Sequence, residues 1–319
     1  MKDILTIGAA TRDVFLESAA FQIIKSAEFQ TGLGECVALG SKNEVNEITF
    51  ETGGGATNAA ATFARLGFSV GIMISVGDDA NGEEIIKVLK KEKVNTRLVQ
   101  KQKGRLTAYS TLLLWSGGQR SILVYRGASE HIVWKPAKSK WIYLTSLGEN
   151  ESVLRAAHEF ARKNKIKLFW NPGRAELHLG LEKLRPLFDH TAILSLNREE
   201  AASLLGLSFE KKDEILQEAK KLAPIVLITD GDKGADMCVD KSWMHVATTG
   251  VKAKNPTGAG DAFGSGFLAG FLKYNDCKLA ARLAILNSES VIQHTGAKQG
   301  ILKKWPSNAE LEKVALTSL

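Results

Sequence analysis

Hydrophobic positions along the chain follow two different periods. Short runs rich in β-branched and aromatic residues predict strands at 4–7, 70–76, 141–144, 167–170, 192–196 and 225–229. Amphipathic segments between them predict helices at 56–66, 83–91, 152–163, 199–205 and 212–222. Strand and helix in alternation are typical of a mostly parallel α/β sheet covered by helices on both faces. Such a sheet binds ligands beyond the carboxyl ends of its strands.

Two segments depart from this alternation. Residues 12–50 contain short polar and apolar alternations, and residues 105–126 predict a β-hairpin around a turn at 116–119. We interpret both segments as β excursions from one α/β core, and we expect them to form a small second sheet together.

The last 60 residues are predicted to be helical, at 259–272, 276–293 and 307–316. Trp305 and Pro306 mark the entry to the last of these helices. The chain has 319 residues and contains no repeat and no linker. We therefore expect one domain over residues 1–319.

Composition and charge exclude several classes of protein. The charged fraction of 24% argues against disorder, and no apolar run approaches the ~18 residues of a membrane helix. The net charge is +7, but Lys and Arg are dispersed, which argues against a nucleic-acid partner. Cys36, Cys238 and Cys277 are too far apart for a disulfide framework or a zinc pair. Because the N-terminal segment also lacks the apolar core of a secretory signal, we expect a cytoplasmic protein.

The strongest candidate for chemistry is the segment NPTGAGDAF at 255–263. Gly258 and Gly260 form a turn that opens a helix, so free backbone N–H groups and the helix dipole create an anion site. Asp261 lies just inside this site, where a carboxylate stays ionised. It can accept a proton from a hydroxyl that attacks a phosphate bound by the same N–H groups. The alternative is that Asp261 only caps the helix.

Two further candidates lie near the N-terminus. The glycines of GGGATNAA, at 53–60, allow backbone to approach a ligand, and Asn58 offers a donor and an acceptor to a hydroxyl. The alternative is close helix packing, and the segment lacks the GxGxxG spacing of a dinucleotide site. Asp13 follows the first strand, where substrate would lie, although a solvated loop carboxylate is the simpler interpretation.

Two weaker candidates follow later strands. Asn197 and Glu200 share one helical face and could orient water around Mg²⁺, but a helix N-cap with an acidic first turn explains them equally. The loop from Thr229 to Gly234 could cradle a nucleotide, or it could simply turn into the next strand.

Taken in this order, these segments resemble the ribokinase-like family of carbohydrate and nucleoside kinases, the PfkB group, over nearly the whole chain. NPTGAGDAF is similar to the family's C-terminal signature, and GGGATNAA to its N-terminal glycine signature. NREE and TDGDKG resemble its metal and nucleotide loops. The resemblance implies a three-layer α/β/α sandwich whose β excursions form a lid. It also implies Mg²⁺-assisted transfer of the ATP γ-phosphate to a hydroxymethyl group of a sugar.

The resemblance assigns roles to individual residues. Asp261 would be the general base, and the anion hole would be the backbone of Gly258, Ala259 and Gly260. The substrate would contact Asp13, Gly54, Asn58 and Asn171, the last in the stretch NPGR. The nucleotide would contact Asn197, Thr229, Gly231 and Gly234, and Glu200 would hold Mg²⁺ through water.

The chain also departs from the family pattern. Asn255 replaces the usual Asp, which contributes to the cation site of potassium-activated members, so a monovalent cation is doubtful. Ile285 stands where Asn or His often faces adenine, and Asn287 lies on the opposite helical face. Thr145 and Ser146 stand where ribose-specific members carry Glu, which counts against ribose.

Two alternatives to a sugar kinase remain open at this point. A nucleoside kinase of the same family needs an apolar wall for the base, and a catalytically silent binding member would lack the base carboxylate. Candidates for such a wall, or for plain core, are Phe15, Trp115, Tyr125 and Phe169. The lid could also join two copies of the chain, because edge strands pair readily.

Overall fold

The computed structural model describes residues 1–29, 32–115 and 120–319, and these ranges form two sheets and two short ribbons. The strands are β1 (Lys2–Ile7), β2 (Thr11–Glu17), β3 (Gln22–Lys25), β4 (Leu33–Cys36), β5 (Glu47–Gly53), β6 (Val70–Met73), β7 (Ser75–Gly77), β8 (Gln100–Gln102), β9 (Ala108–Leu114), β10 (Arg120–Tyr125), β11 (Ser139–Leu144), β12 (Lys167–Trp170), β13 (Ile193–Asn197), β14 (Ile225–Thr229), β15 (Ala235–Val239), β16 (Ser242–Val246) and β17 (Leu316–Ser318). The helices are α1 (Gly55–Arg65), α2 (Ala80–Lys91), α3 (Glu151–Asn164), α4 (Arg174–Leu177), α5 (Leu181–Phe188), α6 (Arg198–Leu205), α7 (Lys212–Ala219), α8 (Ala259–Tyr274), α9 (Cys277–Ile292) and α10 (Asn308–Glu312).

The larger sheet has the strand order β17-β16-β15-β14-β13-β12-β11-β1-β6. The strands from β6 to β14 in this order run parallel, and β15, β16 and β17 continue the sheet antiparallel. A parallel pair needs a long crossover, which explains why helices separate the parallel strands along the chain. The carboxyl ends of the parallel strands therefore meet at one edge of the sheet.

Side chains of the parallel strands are buried on both faces of the larger sheet. In β11, Trp141 and Tyr143 belong to a buried cluster with residues of α1, α8 and α9. Ile142 and Leu144 belong to a second cluster with residues of α3, α5, α6 and α7. Successive strand residues point to opposite faces, so two helical layers enclose the sheet. This confirms the predicted three-layer α/β/α sandwich with a mostly parallel sheet.

The β excursions form the second sheet, of strand order β10-β9-β2-β5. Strands β9 and β10 pair antiparallel like a hairpin, and the predicted turn at 116–119 lies outside the described residues. Strand β2 runs parallel to β9 and antiparallel to β5, which aligns Asp13 with Ser110 and Glu51. Strands β3 and β4 form a separate ribbon. The second sheet thereby holds Asp13 between two polar neighbours.

Three C-terminal and central helices differ from the sequence expectation. The last helix, predicted over 307–316, ends at Glu312, and Leu316–Ser318 pairs with β16 as the edge strand β17. The open edge of β16 supplies backbone partners that a longer helix would forgo. Helices α4 and α5 were not predicted, because α4 has only four residues and α5 contains Pro186.

Helix α8 is buried along most of its length against α9 and the larger sheet. A Cβ at Gly270 would lie 2.7 Å from the Cα of Ala280, so the two helices approach closely at this point. The apolar character of α8 is thus explained by packing. Within the described ranges, no helix is both long enough and apolar enough to cross a membrane.

Candidate active site

The candidate site lies at the edge where the parallel strands end and where two glycine turns open helices. The turn at 53–55 leads into α1, and the turn at 258–260 leads into α8. A direct contact joins the two helices, because Asn58 Nδ2 donates to Asp261 Oδ2 at 2.8 Å. A second bond, from Ser265 Oγ to Thr62 Oγ1 at 2.9 Å, fixes them one turn further on. The two signatures found in the sequence therefore build one site.

Asp261 lies in the first turn of α8, where it is half-buried. Burial raises the pKa of its carboxyl, while the hydrogen bond from Asn58 and the charge of Lys298 lower it. From the sequence, the position of Asp261 near a helix N-terminus was expected to keep its carboxylate ionised. Burial of the carboxylate opposes this effect. A carboxylate with a raised pKa is the stronger base, provided that it remains ionised.

The third glycine of the first turn makes room for the carboxylate of Asp261. A Cβ at Gly55 would lie 3.1 Å from Asp261 Oδ1 and 2.9 Å from Thr145 Oγ1. Any side chain at this position would therefore press on the oxygen that Asn58 leaves free. Thr145 follows β11, so Gly55, Thr145 and Asp261 come together from three separate parts of the chain. Gly54, predicted as a substrate contact, is the N-cap residue of α1.

The second turn is held by its own backbone. Gly258 caps α8 with a φ of 84°, a conformation that favours glycine. The N–H of Ala259 donates to the carbonyl of Pro256 at 3.2 Å, and the N–H of Thr257 donates to Asn255 Oδ1 at 2.9 Å. The predicted donor Ala259 thus already has a partner within the turn, which leaves Gly258 and Gly260 as the better candidates.

Asp13 is only 6% exposed, and its Oδ1 has no hydrogen-bond partner among the described residues. Burial raises the pKa of this carboxyl, whereas the charge of Lys298 and the nearby hydroxyl groups of Ser110 and Thr11 lower it. A buried carboxylate oxygen without a partner is costly, and it is relieved when a ligand hydroxyl donates to it. Asp13 therefore offers a free hydrogen-bond acceptor to a ligand.

Lys298 is a component of the site that the sequence analysis missed. Its ammonium is buried, donates to Asn58 Oδ1 at 2.6 Å and also donates to the backbone carbonyl of Thr52. Burial lowers the pKa of Lys298 to about 8, against the raising effect of nearby carboxylates. A single Lys in a loop after α9 carries no local signal, and only the fold brings it to Asn58.

A cavity of about 570 Å³ adjoins the glycine turn at the start of α8. Its wall includes the predicted nucleotide residues Thr229, Gly231 and Gly234, together with Gly260. Ile285 also lines it, as its position suggested. Asn287 does not: its amide is buried and bonds to the backbone of Ala262 and Leu302. The cavity has the size expected of a small-molecule site.

Asn197 and Glu200 bond to each other as a helix cap. Asn197 Oδ1 accepts from the Glu200 N–H at 2.8 Å, and Glu200 Oε2 accepts from the Asn197 N–H at 2.9 Å. This reciprocal arrangement is the capping box that the sequence left open as an alternative. Burial raises the pKa of Glu200. Among the described residues, no group of three His, Cys, Asp or Glu side chains could hold a metal ion unaided.

The remaining predicted residues are Asn171 and the aromatic candidates for an apolar wall. Asn171 follows β12, and its Nδ2 donates to the carbonyl of Ser195 at 2.9 Å. Phe169 and Phe15 are fully buried, and Phe169 stacks on Tyr143 with ring centroids 4.5 Å apart. Tyr125 is exposed on β10. Two of the four aromatic candidates are therefore core residues.

Comparison with known proteins gives one consistent family. The model of the pfkB family carbohydrate kinases matches residues 1–304. A probable fructokinase-5 of Arabidopsis thaliana is 26% identical and covers 82% of this chain and 87% of its own length. A ribokinase of Lactococcus lactis is 28% identical and covers 83% of this chain and 87% of its own length.

Solved structures share the fold. An Arabidopsis thaliana ribokinase complexed with ribose and ATP has a TM-score of 0.76 at 20% identity, over 98% of both chains. A nucleoside kinase of Methanocaldococcus jannaschii, an archaeal member of the ribokinase family, has the same score, identity and coverage. These likenesses establish the fold of the chain.

Proposed function

The chain belongs to the pfkB family of carbohydrate kinases, phosphotransferases with an alcohol group as acceptor, and we propose that it transfers the γ-phosphate of ATP to a hydroxymethyl group of a sugar. One observation carries the proposal. The carboxylate of Asp261 lies at the start of α8, with its Oδ1 beside Gly55 and with the preceding residue, Gly260, in the wall of the cavity.

In the proposed reaction, Asp261 accepts the proton of the sugar hydroxyl as its oxygen attacks the γ-phosphorus. The bond from the γ-phosphorus to the bridging oxygen of ATP breaks, and ADP leaves with the electron pair. The N–H groups at Gly258 and Gly260 would stabilise the charge that develops on the transferred group. These donors need no reorganisation, because the turn is already formed.

We assign the sugar to the side of Asp13. Its unpartnered Oδ1 accepts from a sugar hydroxyl, and Gly54, Asn58 and Asn171 lie on the same edge as further contacts. The burial of Phe15 and Phe169 removes two of the four aromatic candidates for a wall against a base, which favours a sugar over a nucleoside. Fructokinases and ribokinases among the relatives support a sugar of five or six carbons.

We assign the nucleotide to the cavity beside α8. ATP binding is supported by the ATP complex of the related ribokinase, and Thr229, Gly231 and Gly234 would contact the nucleotide, with Asn197 at the phosphate end. Mg²⁺ fits this donor set, because it usually keeps several waters and binds through substrate phosphates. Glu200 would hold the ion through water by its second carboxylate oxygen. The ion neutralises phosphate charge when it is bound.

The second sheet would act as the lid. It carries Asp13, and closure over the sugar would exclude water that could otherwise receive the phosphate. Strand β10 lies at an edge of this sheet with Leu123, Val124 and Tyr125 exposed. An unpaired edge of this kind suits a second copy of the chain, so a homodimer through the lid belongs to the proposal.

An ADP-release assay tests the proposed activity. The purified protein is supplied with ATP and with pentoses, hexoses, keto-deoxy sugar acids or nucleosides, with and without Mg²⁺. We expect ADP release that requires both Mg²⁺ and a sugar. Release with nucleosides alone would identify a nucleoside kinase, and binding without release from any acceptor would indicate a silent member.

Turnover should be nearly equal in potassium and sodium buffers. Asn255 replaces a charged ligand of the monovalent-cation site, and its buried Nδ2 has no partner in the described part of the chain. An amide nitrogen repels a cation where a carboxylate would bind it. Steady-state rates in matched chloride salts measure the effect, and a large potassium stimulation would refute it.

A further inference from the structure

The buried ammonium of Lys298 takes no part in the proton transfer proposed above, yet it contacts the side chain that holds the base. Lys298 Nζ donates to Asn58 Oδ1 at 2.6 Å, and Asn58 Nδ2 donates to Asp261 Oδ2 at 2.8 Å. A further donation to the carbonyl of Thr52 anchors the ammonium to the end of β5. Lys298, Asn58 and Asp261 thus form one hydrogen-bonded chain.

This chain has only one workable direction. An amide side chain accepts at its oxygen and donates at its nitrogen, an ammonium only donates, and an ionised carboxylate only accepts. If the amide of Asn58 were reversed, its NH₂ group would face the ammonium and its oxygen would face Asp261. Lys298 therefore fixes the direction of the amide. The amide in turn fixes Oδ2 of Asp261 and leaves Oδ1 beside Gly55.

Charge is the second part of the argument. Four neighbouring elements carry charged groups that act on Lys298: Asp13 of β2, Glu51 of β5, Asp261 of α8 and Arg65 of α1. Glu92, which follows α2, is also acted on by the Lys298 charge. The carboxylates raise the pKa of Lys298, and the Lys298 charge lowers the pKa of Asp13 and Asp261. Without a cation, burial and mutual repulsion would favour protonation of one carboxylate.

We propose that Lys298 is a positioning residue for the base, because it orients Asn58 and keeps the carboxylates of Asp13 and Asp261 charged together. This inference rests on the proposed function, in which Asp261 accepts the proton of the sugar. Lys298 touches neither the phosphate nor the leaving group in this account. Its effect reaches the reaction through Asn58 and through the field that it creates.

The pH profile of kcat/KM for the sugar tests this role, since it reports ionisation in the free enzyme. The base works only when ionised, so activity is present above its pKa and is lost as the pH falls through it. Lys298→Met removes the charge that lowers this pKa. We expect the acidic limb of the profile to move to higher pH, with kcat at neutral pH lower by ~10²-fold, as for a misplaced reacting group.

Lys298→Gln separates charge from orientation. It keeps an N–H donor, so we expect the acidic limb to shift as in Lys298→Met while kcat falls less. It also serves as the test if Lys298→Met does not fold. Lys304→Met removes an exposed charge six residues away and should leave the profile unchanged. An unshifted acidic limb in the Lys298 variants, or a loss confined to the sugar KM, would overturn the proposal.

The same assay distinguishes this inference from the function on which it rests. If Asp261→Asn is inactive while the Lys298 variants keep the wild-type limb, only the role of Lys298 is lost. If Asp261→Asn turns over normally, the base assignment itself is wrong.

Discussion

Replacing Asp261 with Asn is expected to lower kcat by ~10²–10⁴-fold, the usual contribution of a positioned general base. Asn has nearly the same shape, so the start of α8 and the cavity beside it should be preserved. Its amide cannot take up the proton of the sugar hydroxyl. The affinity for ADP should stay near the wild-type value, because Asp261 does not line the cavity that we propose for the nucleotide.

Single-turnover kinetics measure the rate of phosphoryl transfer, and calorimetric titration measures the affinity for ADP, both on the same preparation. Asp213→Asn is the matched control, because Asp213 is an exposed carboxylate in the first turn of another helix, α7. It should change stability by no more than about 1 kcal/mol and should not change kcat. Wild-type turnover by Asp261→Asn would remove the base from the mechanism.

Gly258→Ala should be the second most damaging substitution, with kcat lower by ~10²–10³-fold, the loss that accompanies a displaced anion-hole donor. The φ of 84° at Gly258 costs an alanine ~1–2 kcal/mol. The added Cβ would also lie 2.8 Å from the Cα of Ala297, which is backbone and cannot swing away. The turn must shift, and the N–H groups shift with it.

Gly206→Ala separates the backbone strain from the displacement. Gly206 is likewise a left-handed glycine, with a φ of 66° at the end of α6, and a Cβ there meets no atom within 4 Å. Thermal denaturation should show a loss of about 1–2 kcal/mol from backbone strain in this variant, less than in Gly258→Ala, with normal turnover. Equal turnover in the two variants would show that the turn at Gly258 has no catalytic importance.

The fold could be predicted because buried strands appear in the sequence as short continuous apolar runs, whereas helices buried on one face show apolar residues every three or four positions. A single sequence is enough to detect this difference. The prediction failed where the local sequence pattern and the tertiary context disagree. The segment after Glu312 has helical periodicity, but the open edge of β16 draws Leu316–Ser318 into the sheet. Helix α5 was missed for a similar reason. Pro186 argues against a helix in the local sequence, but the packed helix tolerates it.

The candidate site was only partly predictable. Glycine turns can be recognised in a sequence, because a run of glycines such as 53–55 is typical of a turn, and both turns lie where the signatures indicated. The polar residues that contact one another in the site cannot be recognised in this way. Asn58 was expected to face a sugar, but its amide also connects Lys298 to Asp261. Lys298 resembles any surface lysine in the sequence, and burial alone distinguishes it.

The hydrogen bonds around the base join residues that are far apart along the chain. Asn58 is 203 positions from Asp261 and 240 positions from Lys298. A ribosome must therefore release almost the entire polypeptide before these three side chains can meet. Prematurely terminated products that end before α8 would lack Asp261, so under the proposed mechanism they could neither phosphorylate sugar nor hydrolyse ATP at this centre.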